Sequence, residues 1–280
     1  VKGAIGFVTL NNKLLGGFAL LISITLVSWI GLFLSPYDPV IMGNVPRDLP
    51  PSLEHPLGTT SLGRDILTQL FFGTLRSMEI GFMAGILSFA IALFVAFIGA
   101  YYGGMLDGAL TILTEVFITI PSLAILIIIA SLVRIVTIPL MALILTIFSW
   151  AWPAKVIRSQ VLSLKERGFV ELARLSGMRG IEIILKEIMP NILSYLGAYF
   201  AVVVSGAMVA EVGLEVIGLG PRHTITLGMM LHWAISHSAI VRGLFWWWVP
   251  PCIMLLLIFL ALFFISTGLD EIGNPRLKEV

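Results

Sequence analysis

Six stretches of this 280-residue chain, 14–37, 80–106, 116–133, 135–154, 188–210 and 243–269, contain no Asp, Glu, Lys or Arg. Each is close to or above the ~20 apolar residues that carry a helix across ~30 Å of hydrocarbon. A helix also satisfies its own backbone polar groups, which lipid demands. The expected fold class is therefore all-α: a polytopic membrane protein with six transmembrane helices. Composition agrees, with 58% of residues hydrophobic and 12% charged, against about 25% charged in soluble domains. The single cysteine, Cys252, lies inside an apolar run, which excludes a disulfide scaffold and reads as a core thiol. Seventeen Lys and Arg against 16 Asp and Glu leave no basic face, so no nucleic-acid partner is expected.

Lys and Arg in the loops set the orientation. One side holds Lys2 and Lys13, seven basic residues from Lys155 to Lys186, and Arg276 and Lys278, eleven in all. The other holds Arg47, Arg64, Arg76, Arg134, Arg222 and Arg242. The richer side is expected to be cytoplasmic, with both termini on it. The first apolar run is too long for a signal-peptide core and has no small-residue cleavage site after it, so it reads as a retained anchor. Tyr101-Tyr102-Gly103-Gly104 reads as a cytoplasmic turn between spans two and three.

The outer segment, 35–76, is rich in proline, which fixes an irregular, extended path. Its closing stretch, His55-Pro56-Leu57-Gly58-Thr59-Thr60-Ser61-Leu62-Gly63-Arg64-Asp65, leads into Ile66, Leu67, Leu70 and Phe71 at helical spacing. From the residues alone, this reads as a capped turn opening an interfacial helix.

Between spans four and five lies a loop with seven basic and four acidic residues. Within it 169–175 is amphipathic and too short to span, Gly177 stops it, and 181–188 is a second helical run ending before Pro190. Ala173 and Gly177, small residues at fixed offsets, suggest close approach of another backbone and favour a docking surface over a merely solvated loop.

The last outer loop holds His223, His232 and His237, but no H-x-x-x-H pair and no carboxylate or thiol between them. An outer interfacial helix is the simpler reading, and no metal site is expected. Trp246, Trp247 and Trp248 suit an aromatic belt. Glu79, Glu115, Arg134 and Glu215 lie near span ends, where hydration or snorkelling suffices. Glu115, Glu211 and Glu215 are retained as candidate pathway or gate residues, and Glu211 is equally balanced between pathway and interface. No P-loop, zinc-protease or nucleophile-elbow pattern occurs, so the chain is not expected to be an enzyme or to hold a cofactor.

Lys165-Glu166-Arg167-Gly168-Phe169-Val170-Glu171-Leu172-Ala173-Arg174-Leu175-Ser176-Gly177, with Ile188-Met189-Pro190-Asn191 beyond it, resembles the "EAA" loop of ABC importer permeases. Leu172 stands where Ala is usual, and Met189 where Leu is usual. The outer stretch from His55 to Asp65 is similar to the H-P-L-G-T-D-x-x-G-R-D signature of the peptide/nickel permease family, with Thr60 in place of Asp. The segment from Glu211 to Gly220 and the ending Asp270-Glu271-Ile272-Gly273-Asn274-Pro275-Arg276-Leu277 also look like that family, whose C-type subunit is the nearest in kind.

The resemblance implies a type I importer transmembrane domain over 73–270, after an anchor and outer loop over 1–72 and before a tail over 271–280. Its coupling loop, about 155–190, would dock an ATP-binding subunit through Glu171, Leu172, Ala173, Arg174, Gly177 and Pro190. It further implies a second permease subunit, two ATP-binding subunits that hold ATP and Mg, an extracytoplasmic substrate-binding protein, and a place in the cytoplasmic membrane of a prokaryote. Peptides are the default solute, with oligosaccharides and nickel as alternatives. A secondary transporter is the rival class; it would need paired carboxylates or broken helices at mid-membrane, and span-interior acids are not apparent in the sequence.

Overall fold

The computed structural model describes residues 11–273. Lys2, Arg276, Lys278 and the Asn274–Leu277 part of the ending lie outside those residues. Helix α1 (Asn12–Leu34) begins where the Asn11 side chain accepts the Leu14 N–H at 3.0 Å, a standard N-cap. The Pro-rich segment 35–64 folds over the same end of the molecule that α1 reaches. Helix α2 (Ile66–Tyr102) follows. At 1.5 Å per residue its 37 residues run about 55 Å, so it projects beyond the hydrocarbon. The apolar run at 66–71, expected as a separate interfacial helix, is instead the start of α2.

The next two apolar runs are broken. Helices α3 (Gly104–Thr119) and α4 (Ser122–Leu132) meet at 79°, and α5 (Ile138–Ser149) and α6 (Ala151–Lys165) at 49°. Proline explains both. Pro121 has no N–H to continue α3. The Pro153 ring takes the space of the carbonyl four residues back, at Ser149, where α5 stops. The chain continues through α7 (Gly168–Leu175), α8 (Gly180–Ile183), a π-helical turn (Ile184–Ile188) and α9 (Met189–Asn191) into α10 (Leu193–Val216). Helices α11 (Leu227–Ser236) and α12 (Phe245–Gly273) complete it. Among the described residues, α1, α2, α10 and α12 are long and apolar enough to cross a membrane, giving six spans if each bent pair counts as one.

Helices α2 and α10 form the centre. Small residues line the buried side of α2, among them Gly73, Ser77, Gly81, Ala84 and Ser88, as close helix packing in lipid requires. Helix α1 packs more extensively on α12 than on α2. Gly17 and Gly268 let the two approach: a Cβ on Gly17 would lie 2.8 Å from the Ala261 carbonyl oxygen, and one on Gly268 would lie 2.6 Å from Leu14 N. Their ends are clasped by Asn11 Nδ2, which donates to the Gly268 carbonyl at 3.1 Å and to Glu271 at 3.0 Å, and by Lys13 on Glu271 at 2.5 Å.

Two sequence readings change. Cys252 is exposed on the apolar outside of α12 rather than in the core. Trp247 is 1% exposed and packs against His237, so only Trp246 and Trp248 remain partly open for a belt. Phe33, Phe94, Ile112 and Phe263 are exposed, an apolar periphery suited to lipid or another subunit.

Candidate functional site

The loop that links α6 to α10 is anchored first. Lys165 Nζ donates to the Ala100 carbonyl at the end of α2 (3.1 Å), so α6 stays helical well into the segment expected as loop. Helix α7 then lies with Val170 and Ala173 buried against Tyr101, Ile157 and Ile183. Its other face presents Glu171, Leu172, Arg174 and Leu175, with Leu172 65% and Leu175 80% exposed. The Arg174 guanidinium stands 5.5 Å over the Tyr101 ring. An amphipathic helix too short to cross a bilayer thus shows its apolar side chains outward, as a docking element does.

Helix α7 ends in a Schellman turn, with Gly177 N–H on the Arg174 carbonyl and Met178 N–H on the Ala173 carbonyl. Gly177 has φ +79°, and nothing lies within 4 Å of the Cβ it lacks. Within this chain the glycine therefore answers to backbone handedness, not to the close approach expected from the sequence. Glu182 accepts the Arg179 N–H at 3.1 Å and meets Lys186 at 3.4 Å; these contacts hold its carboxyl below the usual range. The second helical run does not stop before Pro190. It widens into the π turn, which accommodates a residue with no N–H to give, and continues as α9 with Pro190 exposed.

At the opposite end, the His55–Asp65 signature ties itself together. Asp65 caps α2, accepting the Thr68 N–H at 2.9 Å, and its other oxygen lies 3.0 Å from His55 Nδ1. Thr59 donates to the Pro46 carbonyl at 2.7 Å, Gly58 accepts the Ile66 N–H at 3.1 Å, and Arg64 reaches the Val40 carbonyl at 2.6 Å. His55, Gly58, Thr59, Gly63, Arg64 and Asp65 are buried, Leu57 is partly buried and Pro56 is exposed. The motif is a folded cap on α2 and offers no reactive group to solvent. Asp48, Ser61 and Arg242 fasten the α11–α12 connection to it, with Arg242 Nη2 2.6 Å from Asp48.

The remaining candidates separate. Glu79 pairs with Arg76 at 2.6 Å, and Glu115 meets Lys155 at 3.5 Å, all of them exposed. Arg134 is exposed beside Arg222 and His223. Glu211 and Glu215 are different: both are 0% exposed, on α10. Glu215 does lie at the span end, one residue before α10 stops, but it is not hydrated there: it is buried, and Thr226 Oγ1 donates to its carboxylate at 2.6 Å. Paired acids and broken helices are therefore both present. His232 and His237 each face a backbone carbonyl, of Val216 and Trp233. Among the described residues no group of three His, Cys, Asp or Glu side chains is arranged to hold a metal ion.

Both helix breaks open on one cavity of about 270 Å³, walled by Ser122, Phe148, Ser149, Trp152, Tyr199 and Gly206. Sequence reasoning missed it, although Pro121 and Pro153 were the available signals. Irregular backbone at membrane depth is tolerated where it lines such a cavity.

An all-α bundle of long apolar and broken helices, with a short amphipathic docking helix at one end, defines a polytopic membrane subunit that works with a partner. Residues 59–279 match the family described as "Binding-protein-dependent transport system inner membrane component", and the chain belongs to that family. It is the membrane domain of a type I ABC importer, a multi-pass permease subunit of the inner membrane. The chain is 29% identical over 270 residues to the dipeptide transport system permease protein DppC of Bacillus subtilis, covering 96% of this chain and 83% of that protein. It is 33% identical over 184 residues to the oligopeptide transport system permease protein OppC of Mycobacterium tuberculosis, covering 65% and 63%. To DppC of Haemophilus influenzae it is 27% identical over 279 residues, covering 96% and 92%.

Proposed function

We propose that this chain is the permease subunit of a peptide importer, passing short peptides inward by alternating access. Support for the solute comes from relatives named for dipeptide and oligopeptide transport. Support for the drive comes from the outward-facing Leu172 and Leu175 on α7, which give an ATP-binding subunit an apolar ridge to seat. Glu171, Arg174, Ala173, Gly177 and Pro190 shape that ridge and its exit. The chain contributes no cofactor and no catalysis; two ATP-binding subunits hold ATP and Mg. A second permease completes the pathway, and an extracytoplasmic binding protein delivers solute at the end carrying His55–Asp65. The α7 end then faces the cytoplasm with both termini. The cavity at the two helix breaks is one wall of the passage, its rings and hydroxyls suited to uncharged stretches of a peptide.

Extraction in mild detergent and mass spectrometry of stoichiometric companions tests this reading. Recovery of a second permease and ATP-binding chains supports it, and a lone chain after crosslinking contradicts it. Thermal-shift screening of the accompanying binding protein against dipeptides, oligosaccharides and Ni²⁺ then tests the solute, because a bound ligand stabilises in proportion to RT ln(1 + [L]/Kd).

A further inference from the structure

Glu211 and Glu215 lie one turn apart on α10, where side chains four residues apart are neighbours. Both are wholly buried. Glu215 Oε2 accepts the Thr226 hydroxyl, with the Gly228 and Met229 amides close to the same carboxylate, but among the described residues Glu215 Oε1 and both oxygens of Glu211 have no hydrogen-bond partner. Buried carboxylates are heavily penalised unless a counter-charge reaches them.

Among the described residues, no element packed on α10 supplies one. Helices α4 and α5 contain no titratable residue. Helix α2 offers the Ser77 hydroxyl beside Glu211, while its Arg76 and Glu79 pair with each other at the surface. On α11, His232 is turned to the Val216 carbonyl. On α12, Cys252 is exposed, and Asp270 and Glu271 stand at the far end with the α6 cations and with Tyr195 and Tyr199 of α10. Arg134, Arg222 and His223 are exposed around Gly218 and Gly220.

We propose that Glu211 and Glu215 form a cation-binding site within the membrane domain, their charge balanced by a cation taken up from solution. The oxygens present are those a proton or a small hard metal ion prefers: two carboxylates with the hydroxyls of Thr226 and Ser77. Packing is tight, since a Cβ on Gly228 would lie 2.4 Å from Glu215 Oε2 and one on Gly220 would lie 2.7 Å from its Cγ. That closeness favours the smallest cation, a proton. The cation stabilises the joint between α10 and the start of α11, where Glu215 and Thr226 meet. This inference is independent of which solute is carried.

The experiment uses the chain with its co-purified partners in lipid nanodiscs. One arm records the melting temperature in Na⁺, K⁺, Mg²⁺ or Ca²⁺ against choline. The other records the infrared carbonyl band of protonated carboxyl groups, with ¹³C-labelled glutamate to assign it in the wild-type chain. The site is supported by a metal-dependent rise in melting temperature that Glu211→Gln removes, which identifies a metal ion. It is equally supported by a protonated-glutamate band that shifts with the label and weakens in Glu211→Gln or Glu215→Gln, which identifies a proton. Absence of both the metal dependence and the band in the labelled wild-type protein overturns it, whatever the variants do.

Discussion

Arg158 on α6 grips Asp107 on α3 with two parallel hydrogen bonds, Nε to Oδ1 at 2.7 Å and Nη2 to Oδ2 at 2.6 Å. Their side chains are 29% and 16% exposed, so the pair is shielded from much of the solvent screening that weakens surface ion pairs. Paired with Lys155–Glu115 one turn away, it holds the two broken spans together below their bends. Asp107→Asn is expected to cost roughly 1–3 kcal/mol, read as a lowered melting temperature of the purified complex. Arg158→Lys should cost less than Arg158→Ala but not match wild type, since an ammonium cannot make the fork. Equal melting temperatures for all four proteins would remove the pair from the account.

Gly177→Val should leave membrane insertion intact and weaken association with the ATP-binding subunit. Its φ of +79° costs an L-residue roughly 1–2 kcal/mol, and a β-branched side chain more. The strain falls on the turn that orients α7. Pull-down of the ATP-binding subunit at graded concentrations measures it, and unchanged affinity would contradict the assignment.

Leu172→Glu and Val170→Glu should part company. Leu172 is 65% exposed, whereas Val170 is 0% exposed. The first variant should yield stable chain with at least about tenfold weaker partner binding, corresponding to about 1.4 kcal/mol. The second should lose folded protein altogether, because it buries an unpaired charge. Size-exclusion profiles and binding isotherms distinguish the two outcomes.

Acid should loosen the cap built on His55–Asp65 through Asp48. Partial burial pushes its carboxyl up, but hydrogen bonds from Ser61 and Arg242 outweigh that and hold it below the ordinary value of 3.8. A carboxyl lowered in the folded state contributes stability that is full above its unfolded value and is lost as pH falls through the folded one. Asp48→Asn should therefore be less stable than wild type at neutral pH and converge with it below the ordinary value. Melting curves across that range test the sign, and a gap that widens in acid would refute it.

The six apolar runs were readable because charge is expensive in lipid, so its absence over about 20 residues has one main explanation. The amphipathic stretch around Glu171 was readable for a related reason: it is too short to span and too apolar to float free. The bends were not, since hydropathy is blind to a proline's missing N–H, and Pro121 and Pro153 lie inside segments of unbroken apolar character. Nor was the burial of Glu215. Its partner, Thr226, lies eleven residues on and beyond the end of α10. Cys252 was misplaced because, in a membrane, an apolar run faces outward as readily as inward.

The contact of α1 with α12 through Gly17 and Gly268 sets a schedule for biogenesis. The ribosome makes α1 long before α12, so α1 must wait in the bilayer with only α2 to hold it, its larger partner still more than 200 residues away. Contacts so distant in sequence are slow to form, and a waiting helix with an open glycine groove is exposed to wrong neighbours. Truncation before α12 should therefore leave α1 inserted but resting on α2 alone, its glycine groove open, a substrate for membrane quality control.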